Sequence, residues 1–421
     1  MPKKIQAIRG MNDLLPSNSE VWSEIDKTIS ELLLSYGYKY CRPPIVESTE
    51  TFSRAIGEVT DIVEKEMYTW KDTSGDSLTL RPEGTAGVVR MMIEHNLPRE
   101  GIQKVFYDGP MFRHERPQKG RYRQFHQVGA EVFGASDAKI DAELISITHS
   151  LWKKLGIDVR LEINSLGSSE SRSSYKELLQ KFLNQNKSRL DEDSLRRLNR
   201  NPLRILDSKN QEMTGLIAEA PKMIDHLDEE SKLHFSILKN YLDSLGINYE
   251  VNPKLVRGLD YYNKTVFEWV SNDLGSQGTI CGGGRYDGLV EKMGGNSTPA
   301  IGFAIGIERI ALLINDLKNR IAKNKPHIYF IVLGEKSQIE SMRLSKKIIE
   351  ALPSLIISND ISMGSIKSQM KKADKSNADF ALILGEEELS NKQLSFKPLK
   401  GQGDQQLIKL EGIIQHLQEI L

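Results

Sequence analysis

The chain has 421 residues, with 57 Lys+Arg balanced by 57 Asp+Glu, so its net charge is zero. That length carries several domains with ample core, and the neutral balance excludes a general polyanion binder, leaving only local patches for any nucleic-acid contact. Two distant cysteines, Cys41 and Cys281, suggest no disulfide framework and no zinc site, which fits a reducing, cytoplasmic setting; no apolar run has the length of a secretory signal or a membrane span.

In chain order, residues Met1 to Asn12 read as a short arm. Ser17 and Glu20 have capping-box spacing, and Trp22, Ile25, Ile29, Leu32, Leu33 and Tyr36 follow at helical spacing, with Gly37 as the stop. Tyr38 to Val46 reads as a strand, but Pro43-Pro44 cannot donate to a ladder, so it belongs at an edge, a bulge or an interface. The helix before it is either plain core or a dimer contact. Glu66–Trp70 and Ser77–Leu80 predict a hairpin turning at Ser74-Gly75-Asp76. Arg81-Pro82-Glu83-Gly84-Thr85 follows, where Thr85 can cap a helix running to about His95. Glu83 then either faces an ammonium group or is a helix-start charge favoured by the dipole.

Phe112 to Glu131 reads as two strands joined by a basic turn at Pro117 and Gly120. Period 2 puts Arg121, Arg123, Phe125, Gln127 and Glu131 on one face, with a gap at Gly129, and pairs Arg113 with Glu115. Cations, a flat ring and then hydrogen-bonding groups suit a ligand with phosphates at one end, a purine in the middle and a polar group at the other. A solvated edge hairpin is the competing reading. His114 and His126 fall on the other face and read as structural.

A helix to about Leu155 and a strand at Val159–Ile163 come next. From about 168 to 248 the chain turns polar and helical, which reads as a module inserted between two parts of one sheet. The sheet resumes near Val251. The stretch 255–262 places Arg257 beside a glycine and ends in Tyr261-Tyr262. Strands follow at Val266–Trp269 and from Thr279 into Gly282-Gly283-Gly284. Three glycines in a row serve either a close approach to a ligand or a special turn. Ala300–Leu313 is a strand running into a helix with Arg309 in its first turn. After a polar linker at Ile321–Pro326 come alternating strands and helices: strands at His327–Leu333, Ser354–Ser358, Phe380–Leu384, Leu394–Phe396 and Gln406–Leu410, with helices at Gln338–Ala351 and Ser365–Ala373. They form an α/β domain of about a hundred residues.

P-loop, Rossmann and H-E-x-x-H motifs are missing, and the histidines have no metal-ligand spacing. No metal site is expected in the protein.

R-P-E-G-T at 81–85, G-P-M-F-R-H-E-R-P-Q-K-G-R-Y-R-Q-F-H-Q at 109–127, L-V-R-G-L-D-Y-Y at 255–262, G-G-R-Y-D-G at 283–288 and G-I-E-R at 306–309 together resemble histidyl-tRNA synthetases of the bacterial type. The resemblance implies an α+β class II synthetase core, an antiparallel sheet flanked by helices, over 1–325, interrupted by the helical insertion at about 168–248. It implies an α/β anticodon-binding domain over 326–421, and a homodimer with the Pro43-Pro44 strand at its interface. The implied reaction activates L-histidine with ATP, with Mg²⁺ on its phosphates, and passes histidine to tRNA(His).

The same resemblance assigns roles. Arg113 would contact the α-phosphate and the amino-acid carboxylate, with Arg257 opposite it in the place a metal holds in other class II enzymes. Arg121 and Arg309 would hold the triphosphate tail, and Phe125 would stack on adenine. Arg123 would only support them. Glu83, Gly84, Thr85 and Gln127 would hold the histidine α-ammonium end. Glu131 and Tyr262 would bind the imidazole nitrogens, and Tyr261 and Tyr286 would line the pocket. Arg116 and Gln118 would reach the tRNA acceptor end. A catalytically silent paralogue, such as a synthetase-like regulatory subunit of ATP phosphoribosyltransferase or an amino-acid sensor, is the main alternative; the presence of all four arginines and a C-terminal domain counts against it. An RNA-binding protein without catalysis is the other, opposed by the neutral charge.

Overall fold

The computed structural model describes residues 4–57, 60–206, 208, 210–314, 325–362, 364–401 and 403–420. It separates into two compact units, 1–321 and 322–421. The linker expected at Ile321–Pro326 lies mostly outside the described residues.

The larger unit is built on an eight-stranded sheet. Its strands run, edge to edge, Lys39–Tyr40, Gln103–Phe112, Gln124–Phe133, Ala300–Gly306, Thr279–Arg285, Asn263–Val270, Arg160–Ser165 and Tyr249–Val251. The six central strands pair antiparallel and both edge strands pair parallel. Alternation divides the side chains between two layers. Phe106, Val128, Ala130 and Val132 point to one face, where helices Pro16–Ser35, Ala138–Leu155, Glu229–Ser244 and Ile307–Leu313 cover them. Val105, Tyr107, Met111 and Phe133 point to the other, toward helices Thr49–Ile56 and Thr85–Glu94.

The first helix buries Val21, Ile25, Ile29, Leu32 and Leu33 along one stripe, each contributing roughly 1.5–3 kcal/mol relative to exposure. It starts at Pro16 with Leu15 in the cap position, so Ser17 is not the cap that its spacing suggested. Pro is suited to that first turn because the N–H it lacks has no helical partner there. The expected strand at 38–46 splits at the prolines. Lys39–Tyr40 joins the large sheet, and Val46–Ser48 joins a separate three-stranded sheet with Ser77–Leu80 and Tyr68–Lys71.

Not all of 168–248 forms an inserted module. Residues from Tyr175 to Leu227 build a core of their own. Helix Glu229–Ser244, by contrast, sends Phe235, Leu238 and Leu242 into the main core. Its polar outer face hid that role in the sequence.

The smaller unit has a five-stranded sheet in the order Ile357–Asn359, Ile328–Val332, Phe380–Leu384, Gln393–Pro398, Gln406–Lys409. The first three strands are parallel and the last two antiparallel. The buried Gln369 amide pairs with both the N–H and the C=O of Val332, each at 2.8 Å, and so ties helix Ile366–Ser376 to the sheet. Among the described residues, no helix is long and apolar enough to cross a membrane.

Candidate active site

The corner at 81–85 begins with a buried arginine. Arg81 Nε donates to the carbonyl of Pro110 at 2.9 Å and Nη1 to that of Pro43 at 3.2 Å, which fixes where Pro82 and Glu83 point. Glu83 is buried, and its two oxygens accept from the backbone N–H groups of Thr85 and Ala86, both at 2.8 Å. Glu83 therefore caps the helix, a role the sequence offered to Thr85. Burial holds its carboxyl above the ordinary carboxylate range, against these two N–H groups.

Relieved of capping, the Thr85 hydroxyl donates to Oε1 of Glu131 at 2.8 Å. Tyr107 donates to the same oxygen at 3.2 Å, and Tyr286 to Oε2 at 2.5 Å. Glu131 is 1% exposed, and burial first of all pushes its pKa up to about 8. Tyr261 and Tyr262 complete the wall, with ring centroids 4.7 Å apart, and Tyr261 meets Tyr286 edge-on at 5.6 Å. Tyr107 is absent from the sequence-based set, where it counted only as a strand residue. The clue was its neighbours: a Cβ on Gly84 would sit 2.0 Å, and one on Gly129 2.3 Å, from the Tyr107 ring. A Cβ on Gly302 would lie 1.5 Å from Glu131 Oε2, so that glycine makes room for the carboxyl.

Beside this polar pocket is a cavity of about 250 Å³ lined by Arg113, Arg121, Arg257 and Arg309, together with Phe125 and Gln127. Two of the four guanidinium groups, those of Arg113 and Arg121, come from one loop, and those of Arg257 and Arg309 come from two other parts of the fold. Arg113 Nε donates to the Pro82 carbonyl at 2.9 Å, and its Cζ stands 5.2 Å from the Phe125 ring centre. Arg121 pairs with Glu115. Arg309 donates to the carbonyls of Thr279 and Gly120. Arg257 pairs with Glu268, whose other oxygen accepts from Thr279 Oγ1 at 2.7 Å. Burial opposes the Arg257 charge, but Glu268 and Tyr262 more than offset it and hold the guanidinium above its ordinary value. Among the described residues, neither Arg257 Nε nor Gln127 Oε1, both buried, finds a hydrogen-bond partner, a costly state unless a ligand supplies one. Arg257 joins the two spaces, since its Cζ lies 5.8 Å from the Tyr262 ring centre.

The strands of the expected hairpin are shorter than the alternation suggested: they end at Phe112 and restart at Gln124. Arg113, Arg121 and Arg123 therefore lie in the connecting loop. Period 2 still places Phe125, Gln127 and Glu131 correctly, but it misplaces Arg123. That side chain turns away from the cavity and donates to the Glu115 carbonyl at 3.2 Å, because the backbone there pairs with Gly10 of the N-terminal arm. Arg116 and Gln118 are exposed on the same loop. His126 sits on the opposite face, bonded to Glu308 at 3.1 Å and packed edge-on against Trp22.

The glycine run makes room for protein groups. A Cβ on Gly282 would lie 2.4 Å from Arg257 Nη2, and one on Gly283 2.3 Å from the Gly302 carbonyl. Arg285 in the next motif is fully buried. It pairs with Asp141 at 2.7 Å and Asp287 at 3.2 Å, and donates to the carbonyls of Ala135 and Asp137. This arginine anchors the loop that carries Tyr286.

A family model described as histidyl-tRNA synthetase matches residues 10–310, and one described as an anticodon binding domain matches 327–420. The chain belongs to the histidyl-tRNA synthetase family. Histidine–tRNA ligase of Ruthia magnifica subsp. Calyptogena magnifica is 62% identical over 421 residues, covering all of both chains. The apo histidyl-tRNA synthetase of S. aureus superposes with a TM-score of 0.81 at 36% identity, covering 98% of this chain and 99% of that one. An ATP phosphoribosyltransferase regulatory subunit/histidyl-tRNA synthetase from Bacillus halodurans C shares the fold, with a TM-score of 0.62 at 20% identity over 91% of this chain and 99% of that one. The large sheet flanked by helices is thus a class II synthetase core, and the smaller sheet is an anticodon-binding domain of this histidyl-tRNA synthetase family.

Proposed function

We propose that this chain joins L-histidine to ATP, giving histidyl-adenylate and pyrophosphate, and then transfers histidine to the 3′ end of tRNA(His). The observation that carries the reading is the buried Glu131 carboxyl, ringed by three hydroxyls, next to a cavity with four guanidinium groups on its walls. In this reading the pocket would take an imidazole ring, whose two nitrogens Glu131 and Tyr262 would bind between Tyr261 and Tyr286. A side chain lacking those nitrogens would leave buried polar groups unpaired, which gives strong selectivity. Glu83, Thr85 and Gln127, at the backbone turn of Gly84, would hold the α-ammonium; the unpaired Gln127 oxygen supports this.

In the first step a carboxylate oxygen of histidine attacks the α-phosphorus in line, and pyrophosphate leaves. Negative charge concentrates at that phosphorus, where Arg113 and Arg257 would stabilise it from two sides without a protein nucleophile. Arg121 and Arg309 would hold the outer phosphates, and adenine would stack on Phe125. Magnesium would enter with ATP on the β- and γ-phosphates. In the second step a terminal ribose hydroxyl of tRNA attacks the acyl carbon and AMP leaves. Arg116 and Gln118, exposed on the loop, would meet the acceptor end there.

A homodimer in the cytoplasm is part of the same reading. Pro44, Ile45 and Val46 are exposed together, an apolar run suited to a second copy.

The decisive test is ATP–pyrophosphate exchange with each of the twenty amino acids in turn. Histidine alone should support exchange. Histidine binding without exchange would favour the regulatory or sensing alternative, and exchange with another amino acid would overturn the substrate assignment.

A further inference from the structure

The loop 255–262 carries Arg257, Tyr261 and Tyr262 but belongs to no helix or strand. Its backbone groups therefore need partners from elsewhere. Two of its carbonyls, those of Asp260 and Tyr262, accept from a single atom, Nη1 of Arg172, at 2.9 and 2.8 Å. Arg172 stands in the first turn of helix Ser169–Gln185, which opens the inserted unit and whose later residues build that unit's own core. A second contact comes from the same unit, as Asn201 Nδ2 donates to Asp260 Oδ1 at 2.7 Å. On the other side of the loop the Asp260 N–H donates to the Ile56 carbonyl at 3.3 Å.

We infer that the inserted unit sets the geometry of the histidine-activating loop, with Arg172 as the positioning residue that holds Tyr262 and, through it, Arg257 against the reaction centre. The inference rests on the function proposed above. The physical reason is the charge: a guanidinium bonded to two carbonyls forms stronger bonds than a neutral donor, and the two N–H groups of Nη1 lie in its plane, which sets the direction of both. The Arg257 guanidinium is held by Glu268 at one end and packs over the Tyr262 ring, so its place depends on both. A loop released at Tyr262 leaves only the Glu268 contact and lets Arg257 shift from its proposed position opposite Arg113. A shift of about 1 Å at a reacting centre costs on the order of a hundredfold in rate.

The test compares Arg172→Met, which keeps the length and removes the donors, with Arg172→Lys, which keeps a cation able to reach a carbonyl. Each is measured by histidine-dependent ATP–pyrophosphate exchange and by hydrogen exchange of the backbone amides at 255–262. Arg172→Met should lower kcat for exchange roughly ten- to a hundredfold and raise KM for histidine, with KM for ATP changed less than about threefold. Its 255–262 amides should exchange faster while those of the sheet do not, and Arg172→Lys should fall between it and the parent. Unchanged amide exchange at 255–262, or an unchanged kcat, would overturn the inference. Should Arg172→Met not fold, Asn201→Ala removes the bond from the same unit to the Asp260 side chain of the loop and is read in the same way. A parent protein inactive with histidine would sink the function instead, and the amide exchange would still decide the positioning role.

Discussion

The Tyr286 hydroxyl donates to Glu131 Oε2 at 2.5 Å across 155 residues of sequence. The bond joins the loop after the glycine run to the strand after the basic loop. It places a titratable carboxyl where water does not reach. Glu131 is thus a buried carboxyl whose pKa is raised by burial and which accepts from three hydroxyls.

Replacing Glu131 by Ala should weaken histidine binding far more than ATP binding. Leaving the buried partner of a lost hydrogen bond unsatisfied costs about 1–3 kcal/mol, so histidine affinity should fall roughly five- to a hundredfold. Calorimetric titration with each ligand separately checks this. Unchanged histidine affinity would remove Glu131 from the binding pocket.

Glu131→Gln should stabilise the fold in a pH-dependent way. The folded pKa is about 8, above the ordinary 4.5, so between those values the unfolded chain has released a proton that the folded chain keeps. The unfolded state binds fewer protons there, and stability falls as pH rises through that window and levels off above it. Gln has no proton to lose. The advantage of the variant should open above about pH 4.5 and reach its full size, on the order of a few kcal/mol, above pH 8. Urea midpoints at pH 5, 6.5 and 8 measure it, and a pH-independent gap would contradict the assignment.

Arg257→Ala should abolish adenylate formation, by about a thousandfold, while largely sparing histidine binding. Gly282→Ala offers a second approach without touching a charge. Its new Cβ would overlap the guanidinium, with Nη2 at 2.4 Å and Cζ at 2.5 Å, and must push Arg257 aside. Its exchange rate should drop roughly ten- to a hundredfold. Equal losses of histidine binding and of rate in Arg257→Ala would mean that the residue only shapes the pocket.

Asp141→Ala should be a folding defect, not a catalytic one. It leaves the fully buried Arg285 charge without its main partner, at a cost of about 3–5 kcal/mol. Chemical denaturation reads this directly. A change below about 1 kcal/mol would show that Asp287 and the two carbonyls suffice.

How far the chain could be read before folding differs from residue to residue. Period 2 placed Phe125, Gln127 and Glu131 on one face because strand Gln124–Phe133 is regular. It failed at Arg123, which precedes the strand and follows the path imposed by Gly10. Helix Glu229–Ser244 was grouped with the insertion because composition records the solvent face, whereas its place in the main core depends on what its buried stripe meets.

Local pattern by itself determined most of the order of elements and the break between the two units. These are short-range properties, carried by periodicity, turn residues and charge. The family and the roles of the four arginines came instead from the resemblance that the motifs carry. Only the tertiary structure decided that Glu83 caps a helix, that Tyr107 joins the Glu131 cluster, that Arg285 is an anchor and that Arg172 grips the loop 255–262. The last three depend on partners distant in sequence; Glu83 has partners two and three residues away, and there the fold chose between two readings that the local pattern left open.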